Sequence, residues 1–561
     1  MSTLIKERLN RMIKEAADEM VSSGRLKIEK LPALMVDVPK NREHGDLYTS
    51  APFSLAKASG KSPQEISRAM LDILEGTCGD PGFIKKIEPA GNGFLNFFIS
   101  SEYLRANMIR IIEEAGDYGR SDQGKGKKVQ IEFASVGPTG PIHIGHARGA
   151  VVGDVLTNIL ERTGCKVERE YYINDVGTQI DILGKSLKAR YRELYGLDSE
   201  FPPNGYEGSY LVDMAVRLKE EFGKDAADRD IKFFSGLAVR ETMKVIKRDL
   251  AEFGVKFDSW VSEEGLHLDG TVADVVEKLK DSGCTLSRDG ALWFKAPEGD
   301  EEIDKENVII RSSGTPTYFA SDIAYHRKKY ERDLDLLIDI WGQDHHGHVK
   351  RLKDAVSALG YDKDKLKIIL YQLVSLSRNG QPLRMSTRKG EFITLREVMD
   401  EVGADSIRFF FLMRKASSHL DFDLELAKQQ SVENPVYYVQ YAHARICSIF
   451  READKKKVEF DVSGIGLEDL ELLQDDTELE IMKKLAFFPD CVAEMALMCE
   501  PHGLTMYSRE LAALFHKFYT DHRIIGDDGR LARARLALIS AIKIVLSNSL
   551  VLMGIKPKDR M

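Results

Sequence analysis

Residues 129–146 read VQIEFASVGPTGPIHIGH, a β-rich run followed by a loop of glycine, proline and histidine. The pattern predicts a strand over Val129–Ser135, a helix over about 147–163 and a second strand over Lys166–Ile173. Strand, loop, helix and strand in this order begin a doubly wound parallel sheet. Ligands in such sheets bind at the carboxyl ends of the strands, so the loop is the first candidate site.

The sheet resumes further along the chain. Leu334–Trp341 and Ile368–Leu376 are nearly continuous apolar runs, which are typical of buried parallel strands. Residues from about 185 to 310 alternate charged helical stretches with short strands, and we interpret them as an insertion between the two halves of the sheet. The predicted fold class is therefore α/β and multidomain, with a doubly wound, Rossmann-like domain that carries an insertion.

Both flanks of this domain predict further domains. The N-terminal part has a helical stretch and two strand-like runs around Gly91-Asn92-Gly93, which predicts a small α+β domain. From about residue 395 the pattern is helical almost to the end, which predicts an all-α C-terminal domain. The predicted parts are an α+β domain over 1–115, the sheet domain over 121–395, a helical connector over 396–435 and the helical domain over 436–561.

Composition narrows the class of protein. The chain has 561 residues, 43% hydrophobic and 30% charged, which is ordinary for a soluble globular protein. Its formal net charge of -9 argues against a general nucleic-acid coating protein, although a local basic surface could still bind RNA. The six cysteines form no CxxC pair, so no zinc ribbon is predicted, and their low number fits a reducing compartment.

Neither end of the chain predicts a membrane protein. The N-terminus, MSTLIKERLNRMIKEAADEM, is charged throughout and lacks the apolar core of a signal peptide. Leu536–Ile555 has Lys543 as its single charge, but three serines and an asparagine interrupt it. A buried amphipathic helix is the better interpretation, and we expect a cytoplasmic protein without membrane contact.

The loop before the predicted helix has the chemistry of a nucleotide site. A helix start presents free N–H groups and a positive dipole end to anions. Gly145 has no side chain, so a flat base could stack on its backbone, and His143 and His146 could donate hydrogen bonds to phosphate oxygens. Taken alone, two histidines near such a turn could equally cap the helix, and a metal pair would need a third ligand that the nearby sequence does not supply.

Two motifs resemble class I aminoacyl-tRNA synthetases. His143-Ile144-Gly145-His146 resembles their HIGH signature, and Arg384-Met385-Ser386-Thr387-Arg388-Lys389-Gly390 is similar to their KMSKS loop. Thr387 stands where the family has its second lysine and Arg384 where it has its first, so Arg388 or Lys389 would supply the charge. The resemblance implies four catalytic residues, which are His143, His146, Arg388 and Lys389.

The same resemblance implies an ATP site. Trp341-Gly342-Gln343-Asp344-His345-His346 resembles the segment where a glycine and an acidic residue meet the ribose of ATP, although Asp344 could also be a helix cap. The implied ATP contacts are Pro138, Thr139, Gly140, His143, Gly145, His146, Gly342, Asp344, His345, Met385, Ser386, Thr387, Arg388 and Lys389.

A third resemblance points to arginine. Thr317–Tyr325 (TYFASDIAY) is similar to the arginyl-specific stretch in which Tyr318 and Asp322 would face the guanidinium. Their i, i+4 spacing puts them on one helix face, and a planar guanidinium requires a fixed carboxylate. The bland alternative is that Tyr318 is a core residue and Asp322 pairs with a cation such as Arg327. The implied arginine contacts are Glu132, Ser135, Gly137, His143, Tyr318, Asp322 and Gln343, with Gly137 standing where many relatives carry asparagine.

Residues 40–100, with His44-Gly45-Asp46 and Ala90-Gly91-Asn92-Gly93-Phe94, and the C-terminal segment Tyr437–Arg445 (YYVQYAHAR) resemble the tRNA-binding domains of bacterial arginyl-tRNA synthetases. The resemblance implies an N-terminal domain at the tRNA elbow and a helical anticodon-binding domain. The implied tRNA contacts are Gly91, Asn92, Gln440, Arg445 and Arg535. We therefore expect a monomeric arginine–tRNA ligase that uses L-arginine, its tRNA and ATP with Mg²⁺, and that holds no tightly bound metal. The alternatives are a plain nucleotidyltransferase of the same fold and a tRNA-binding paralogue without activity.

Overall fold

The computed structural model describes residues 4–77, 82–296, 307–383, 392–458 and 460–561. The first part forms an antiparallel sheet of order β1-β2-β4-β3 covered by helices, as predicted for a small α+β domain. Its elements are α1 (Ile5–Ser22), β1 (Val36–Asp37), β2 (Leu47–Thr49), α2 (Ala51–Ser59), α3 (Pro63–Thr77), β3 (Ile84–Ala90), β4 (Phe94–Ile99) and α4 (Ser101–Glu114). Helix α3 begins where predicted, because Ser62 and Glu65 each bond the other's backbone N–H.

The middle of the chain contains the parallel sheet. Its elements are β5 (Lys128–Glu132), α5 (Ile144–Arg162), β6 (Lys166–Ile173), α6 (Thr178–Glu193), α7 (Ser209–Phe222), α8 (Ile231–Glu252), β7 (Ser259–Ser262), α9 (Glu263–Leu268), α10 (Thr271–Asp281), β8 (Thr285–Arg288), β9 (Ala291–Phe294), β10 (Val308–Ile310), α11 (Tyr318–Tyr330), β11 (Leu336–Gly342), α12 (His346–Ala358), β12 (Leu366–Tyr371), β13 (Val374–Arg378) and β14 (Gln381–Pro382).

Five parallel strands lie in the order β12-β11-β5-β6-β7, with helices on both faces. Ile338 and Ile340 of β11 pack in the same core as α5, whereas Leu337 packs with α11 and α12, because successive strand residues point to opposite faces. The chain leaves β5 toward β6 and returns on its other side as β11. This topological switch point opens a crevice at the carboxyl ends of β5 and β11.

The predicted insertion at about 185–310 is corrected by strand β7. This strand pairs parallel with β6 and belongs to the central sheet, so the sheet resumes within the predicted insertion. Helices α6, α7 and α8 precede it and form a core of their own, and β8, β9 and β10 form a separate antiparallel sheet after it. Strand β7 was missed because its four residues, SWVS, carry no apolar run.

The predicted strand Ile368–Leu376 is two strands in different sheets. Strand β12 ends at Tyr371, and β13 begins at Val374 and pairs with β14 and β15 instead. Both strands are apolar, so composition alone could not show the break between them. The two residues in the gap redirect the chain away from the central sheet toward the C-terminal part.

The C-terminal part is helical, as predicted, apart from the short strand β15. Its elements are α13 (Leu395–Val402), α14 (Ala404–Phe411), β15 (Leu420–Asp423), α15 (Leu424–Lys428), α16 (Pro435–Lys455), α17 (Leu467–Leu470), α18 (Asp476–Ala486), α19 (Phe488–Met498), α20 (Gly503–Asp521) and α21 (Gly529–Leu552). Helix α21 is long and apolar enough to cross a membrane, but 67% of its apolar window is buried inside the protein. A core helix passes the same test of length and composition, so this helix is weak evidence for a span.

Two buried arginines fix α5 against the C-terminal part. Arg408 forms an ion pair with Asp154 of α5 and donates hydrogen bonds to the carbonyl oxygens of Phe253 at 3.1 Å and Met553 at 2.7 Å. Arg148 of α5 donates to the carbonyl oxygens of Gln372, Lys415 and Ser418 at 3.0, 2.8 and 2.7 Å. Breaking a buried ion pair costs about 3–5 kcal/mol, so these contacts hold α5, and the histidine turn at its start, in one position.

Candidate active site

A cavity of about 1010 Å³ opens at the carboxyl ends of the central strands. Its wall includes the last residues of β5, β11 and β12, which are Glu132, Gly342 and Tyr371. The structure brings together nine of the predicted site residues, which are Glu132, Ser135, Gly137, His146, Tyr318, Asp322, Gly342, Asp344 and His345. They come from four separate stretches of the sequence, so the fold assembles them.

The histidine turn begins α5. The ring nitrogen Nδ1 of His143 accepts the backbone N–H of Gly145 at 2.8 Å, which caps the helix. Burial and the neighbouring His146 lower the pKa of His143 to about 4, and burial also lowers the pKa of His146. His143 is therefore neutral at pH 7, and because Nδ1 accepts, its hydrogen is on Nε2. Helix capping and a donor role are thus both open to His143.

Backbone geometry shapes this turn. A Cβ on Gly145 would lie 2.9 Å from Nδ1 of His143 and 3.1 Å from its Cε1, so glycine permits the capping ring to pack there. A Cβ on Gly137 would meet nothing within 4 Å, so the cavity has room for a side chain at that position. Ala134 has φ +62, and holding alanine in this left-handed conformation costs about 1–2 kcal/mol. Strain is thus stored where β5 enters the site.

Five of the turn residues that were predicted as ATP contacts do not line the main cavity. They are Pro138, Thr139, Gly140, His143 and Gly145. The turn adjoins the cavity, because the His143 and His146 rings are 5.9 Å apart. The hydroxyl of Tyr210, from α7, donates to the carbonyl of Thr139 at 2.6 Å and so holds the turn from the side of the inserted helices.

The residues that follow the basic motif contact the histidine turn. Met385, Ser386, Thr387, Arg388 and Lys389 lie outside the described residues, as does Arg384. Just after them, the carbonyl of Ile393 accepts the N–H of Ile144 at 3.1 Å, and Leu395 N–H donates to the carbonyl of Ile142 at 2.8 Å. The described segment that follows the basic motif is therefore hydrogen-bonded to the histidine turn.

Tyr318 and Asp322 share one wall of the cavity, on the first turns of α11. Asp322 Oδ2 lies 2.8 Å from Nε2 of His348, which comes from α12. Arg327 forms ion pairs with Asp274 and Glu331 instead, so the alternative pairing of Asp322 with Arg327 is not what the structure shows. Tyr318 is half-exposed rather than a core residue.

Glu263 is an acidic residue of this cavity that the sequence did not reveal. Burial, with Asp322 and Asp175 nearby, raises the pKa of Glu263 to about 7. The nearby hydroxyls of Ser321 and Tyr172 lower this pKa in part, but burial and the two carboxylates outweigh them. A buried carboxylate next to a second carboxylate forms a site for a cation with several N–H donors. Glu263 was missed because it lay within the expected insertion, remote from every motif.

Glu132 belongs to a buried ionic cluster behind the cavity. Its Oε2 is 2.5 Å from Nζ of Lys329, which is 2.7 Å from Asp339, and Asp339 is 2.6 Å from Nε2 of His326. Burial would raise the pKa of Asp339, but Lys329 and His326 outweigh it and lower that pKa to about 2. Glu132 lines the cavity, and one of its oxygens is already paired with Lys329. It therefore has a structural role besides the substrate contact that the sequence predicts for it.

Gln343 is not brought to the main cavity, unlike most of the other predicted arginine contacts. Gln343 lines a separate cavity of about 370 Å³ and not the main one. Strand β11 ends at Gly342, and the 3-10 turn Gln343–His345 that follows sends neighbouring residues to different sides. Asp344 does line the main cavity, and the N-terminus of α12 has no side-chain cap, so Asp344 does not cap that helix.

Three of the predicted tRNA contacts lie on or near the surface. Gly91 and Asn92 form the exposed turn between β3 and β4, and Asn92 accepts a hydrogen bond from Gln64. The guanidinium of Arg445 lies 4.6 Å from the ring centroids of Tyr441 and Tyr519. Aromatic rings and a guanidinium together are suited to stacking on unpaired bases.

The other two predicted tRNA contacts are engaged inside the protein. Gln440 is buried, and its amide donates to Asp405 at 3.0 Å and to the carbonyl of Lys556 at 3.1 Å. Arg535 donates to the buried Glu478 at 2.9 Å. Both side chains hold the C-terminal part together, and their contact with tRNA stays a prediction. The sequence alone does not show whether a basic or polar side chain on a helix faces the solvent or the protein interior.

Among the described residues, His443, Cys447 and Asp559 form a cluster whose ligand atoms could hold a metal ion. Cys447 Sγ lies 3.3 Å from Asp559, and His443 Nδ1 lies 2.9 Å from the carbonyl oxygen of Lys558. A carbonyl only accepts, so Nδ1 carries a hydrogen and its lone pair is not available to a metal. The cluster anchors the C-terminal tail on α16.

Three family models match consecutive parts of the chain. The Arginyl tRNA synthetase N terminal domain matches residues 3–99, and the DALR anticodon binding domain matches 439–561. The model of tRNA synthetases class I (R), catalytic domain, matches 108–447, which is more than half of the chain. The predicted connector at 396–435 falls within this last match.

Curated relatives and solved structures are similar over nearly the full length. The arginine–tRNA ligase of Moorella thermoacetica is 44% identical over 561 residues and 99% of both chains. That of Syntrophotalea carbinolica is 44% identical over 99% of this chain and 100% of its own. The Thermus thermophilus arginyl-tRNA synthetase shares the fold, with a TM-score of 0.76, 22% identity and coverage of 99% of this chain and 100% of that chain.

Proposed function

Because this chain belongs to the class I arginyl-tRNA synthetase family and is an arginine–tRNA ligase, we propose that its main cavity is the site of both half-reactions. In the first, the arginine carboxylate attacks the α-phosphate of ATP, which forms arginyl-adenylate and releases pyrophosphate. In the second, the 2′-hydroxyl of the terminal adenosine of tRNA attacks the activated carbonyl and AMP leaves. Each half-reaction depends on positioning and on electrostatic stabilisation.

The observation that carries the arginine assignment is the pair of carboxylates in one cavity wall. Asp322 and Glu263 lie close enough that Asp322 helps to raise the pKa of Glu263 to about 7. We propose that the guanidinium binds between them, where its planar set of N–H donors satisfies both carboxylates and the hydroxyl of Tyr172. A guanidinium placed there would offset the electrostatic repulsion between the two carboxylates. Tyr318 would contact the same group from the start of α11.

The ATP end of the cavity is proposed to lie at the histidine turn. His143 is neutral with its hydrogen on Nε2, and His146 lines the cavity with its pKa lowered by burial. Neutral N–H donors can bond phosphate oxygens as charge develops on them in the transition state. Gly342 and Asp344, at the end of β11, would accept the ribose. Pro138, Thr139, Gly140 and Gly145 would support the turn and contact the nucleotide from its edge.

Three further features remain proposals. Arg388 or Lys389 would neutralise the leaving pyrophosphate, because Ile393 and Leu395, which follow them in the chain, are hydrogen-bonded to the histidine turn. Mg²⁺ would enter with the triphosphate, as a partner of ATP rather than of a fixed protein site. We also propose that the enzyme works as a cytoplasmic monomer, and its low cysteine content fits the reducing environment of the cytoplasm.

The reaction is tested by arginine-dependent exchange of pyrophosphate into ATP, with and without tRNA. The proposal expects exchange in at least one condition, and none when lysine replaces arginine. A plain nucleotidyltransferase would not depend on arginine, and an inactive paralogue would show no exchange in either condition. Either of those results would overturn the assignment of both half-reactions to this cavity.

Glu263 gives the exchange reaction a predicted dependence on pH. Its carboxyl has a pKa raised to about 7 by burial, so it is ionised above pH 7 and protonated below. The KM for arginine is expected to rise about tenfold for each pH unit below 7, and to level off above about pH 8, because only the ionised carboxylate attracts the guanidinium. Steady-state exchange between pH 6 and pH 9 measures this slope.

A matched pair of variants isolates this titration. Glu263→Gln should raise the KM at pH 8 and remove most of the slope below pH 7. Glu264→Gln, at the exposed neighbouring position, should keep the slope of the unmodified enzyme. If Glu263→Gln retained the full slope, another group would be responsible and the role of Glu263 would be rejected.

A further inference from the structure

His348 is the hydrogen-bond partner of Asp322. It lies near the start of α12, and its Nε2 is 2.8 Å from Oδ2 of Asp322 on α11. An ionised carboxylate only accepts hydrogen bonds, so Nε2 carries the hydrogen and His348 is the donor. Both residues line the main cavity. The contact therefore links the two helices at the wall where the guanidinium is proposed to bind.

The His348 ring is held by aromatic neighbours. Its centroid lies 5.5 Å from Trp341, at the end of β11, and 5.4 Å edge-on from Phe319 of α11. The side chain is only 14% exposed. Packing of this kind restricts the ring to one rotamer, so its N–H points in a fixed direction. A fixed donor can hold a carboxylate in one orientation without losing side-chain freedom of its own on substrate binding.

Two cationic residues that follow Asp322 on α11, Arg327 and His326, have other partners for their side chains. Arg327, one turn further along α11, forms ion pairs with Asp274 and Glu331. His326 donates through one nitrogen to the Asp322 backbone carbonyl at 2.8 Å, and its other nitrogen is 2.6 Å from Asp339. These contacts fix the backbone of Asp322 but do not orient its carboxylate. His348 orients the carboxylate of Asp322 through Oδ2, and Oδ1 is the oxygen that His348 does not bond.

We propose that His348 is a positioning residue for arginine selection, which holds Oδ2 of Asp322 so that Oδ1 is presented to the guanidinium. This inference rests on the proposed contact between Asp322 and the substrate. A guanidinium fork recognises a carboxylate whose plane is fixed, whereas a single ammonium group tolerates a rotating one. His348 therefore favours arginine over lysine through its hold on Asp322.

Two substitutions separate the hydrogen bond from the packing. His348→Phe keeps an aromatic ring against Trp341 and Phe319 but removes the N–H. His348→Gln keeps an N–H donor with a shorter, non-aromatic side chain. His348→Phe should raise the KM for arginine about tenfold, equivalent to about 1.4 kcal/mol. Its kcat and its KM for ATP should change less than about twofold, because only substrate positioning is lost. His348→Gln should recover most of the arginine affinity.

A double-mutant cycle tests whether His348 acts through Asp322. In an Asp322→Ala background, His348→Phe should have no further effect on the KM for arginine, because the carboxylate that it orients is absent. His419→Phe, at an exposed histidine outside the cavity, is the control for the substitution itself and should change nothing. Thermal unfolding of each variant shows whether the fold is intact.

The outcomes distinguish this inference from the proposed arginine site. If Asp322→Ala raises the KM for arginine but His348→Phe does not, the positioning role is overturned and the arginine site stands. If His348→Phe lowers kcat and both KM values change together, or if the two effects simply add, His348 is a packing residue. If Asp322→Ala leaves the arginine dependence unchanged, both the site and the inference are overturned.

Discussion

Replacing His146 with alanine is expected to slow formation of arginyl-adenylate by about two orders of magnitude or more, which is the effect of losing one transition-state donor. His146 lines the cavity beside His143, and burial keeps its pKa low, so it is a neutral donor at pH 7. The hydrogen bond from a neutral donor becomes strongest when negative charge develops on the α-phosphate in the transition state. The single-turnover rate of adenylate formation, measured with saturating arginine and ATP, reports this step directly.

Two further variants define the role of His146. His146→Asn retains an N–H donor and should recover part of the rate, whereas a group acting only through its bulk would not be replaced by asparagine. His419→Ala, at an exposed position outside the cavity, should leave the rate unchanged. An unchanged single-turnover rate in His146→Ala would remove this residue from the catalytic machinery.

Asp322→Ala is expected to lower kcat/KM for arginine by about 100-fold, because a cation that loses a hydrogen-bonded carboxylate partner loses about 2–5 kcal/mol of binding. The loss should appear mainly in the KM for arginine, and the KM for ATP should stay nearly constant, since Asp322 lies on α11 with Tyr318, near Glu263 of α9, and not on the histidine turn. Exchange of pyrophosphate into ATP over a wide range of arginine concentrations measures both constants.

The control for Asp322→Ala is the same substitution at the exposed Asp281, which ends α10 outside the cavity. Asp281→Ala should behave as the unmodified enzyme. If the arginine dependence of Asp322→Ala were unaltered, Asp322 would have no part in binding the guanidinium. A loss of kcat at constant KM would instead indicate that Asp322 acts on the reacting end of the substrate.

Local signals were sufficient for much of the fold. Strand β6 has the predicted bounds, Lys166–Ile173, and α5 begins at Ile144, three residues before the predicted start at about Ala147. The i, i+4 spacing correctly put Tyr318 and Asp322 on one helix, and both line the cavity. These features depend on hydrophobic period, helix caps and turn residues, which are properties of neighbouring residues in the chain.

Predictions that depended on the orientation of a side chain, or on partners distant in the sequence, agree less well with the structure. Gln343, next to two residues of the main cavity, lines a different one because a 3-10 turn begins there. Arg535 and Gln440 looked suitable for RNA, yet both bond buried groups of the C-terminal part. Strand β7 carries no apolar run, and only its parallel pairing with β6 identifies it as part of the sheet.

The sequence by itself determined the class of the fold, the order of its domains and the two motifs of the class I resemblance, because each depends on contiguous residues. Only the tertiary structure decided which acids meet in the proposed arginine pocket. Glu263 and His348 lie 59 and 26 positions from Asp322, and no period or motif links them along the chain. Their pairing, and the raised pKa of Glu263, come from burial and from charge at short range in space, which a linear sequence does not record.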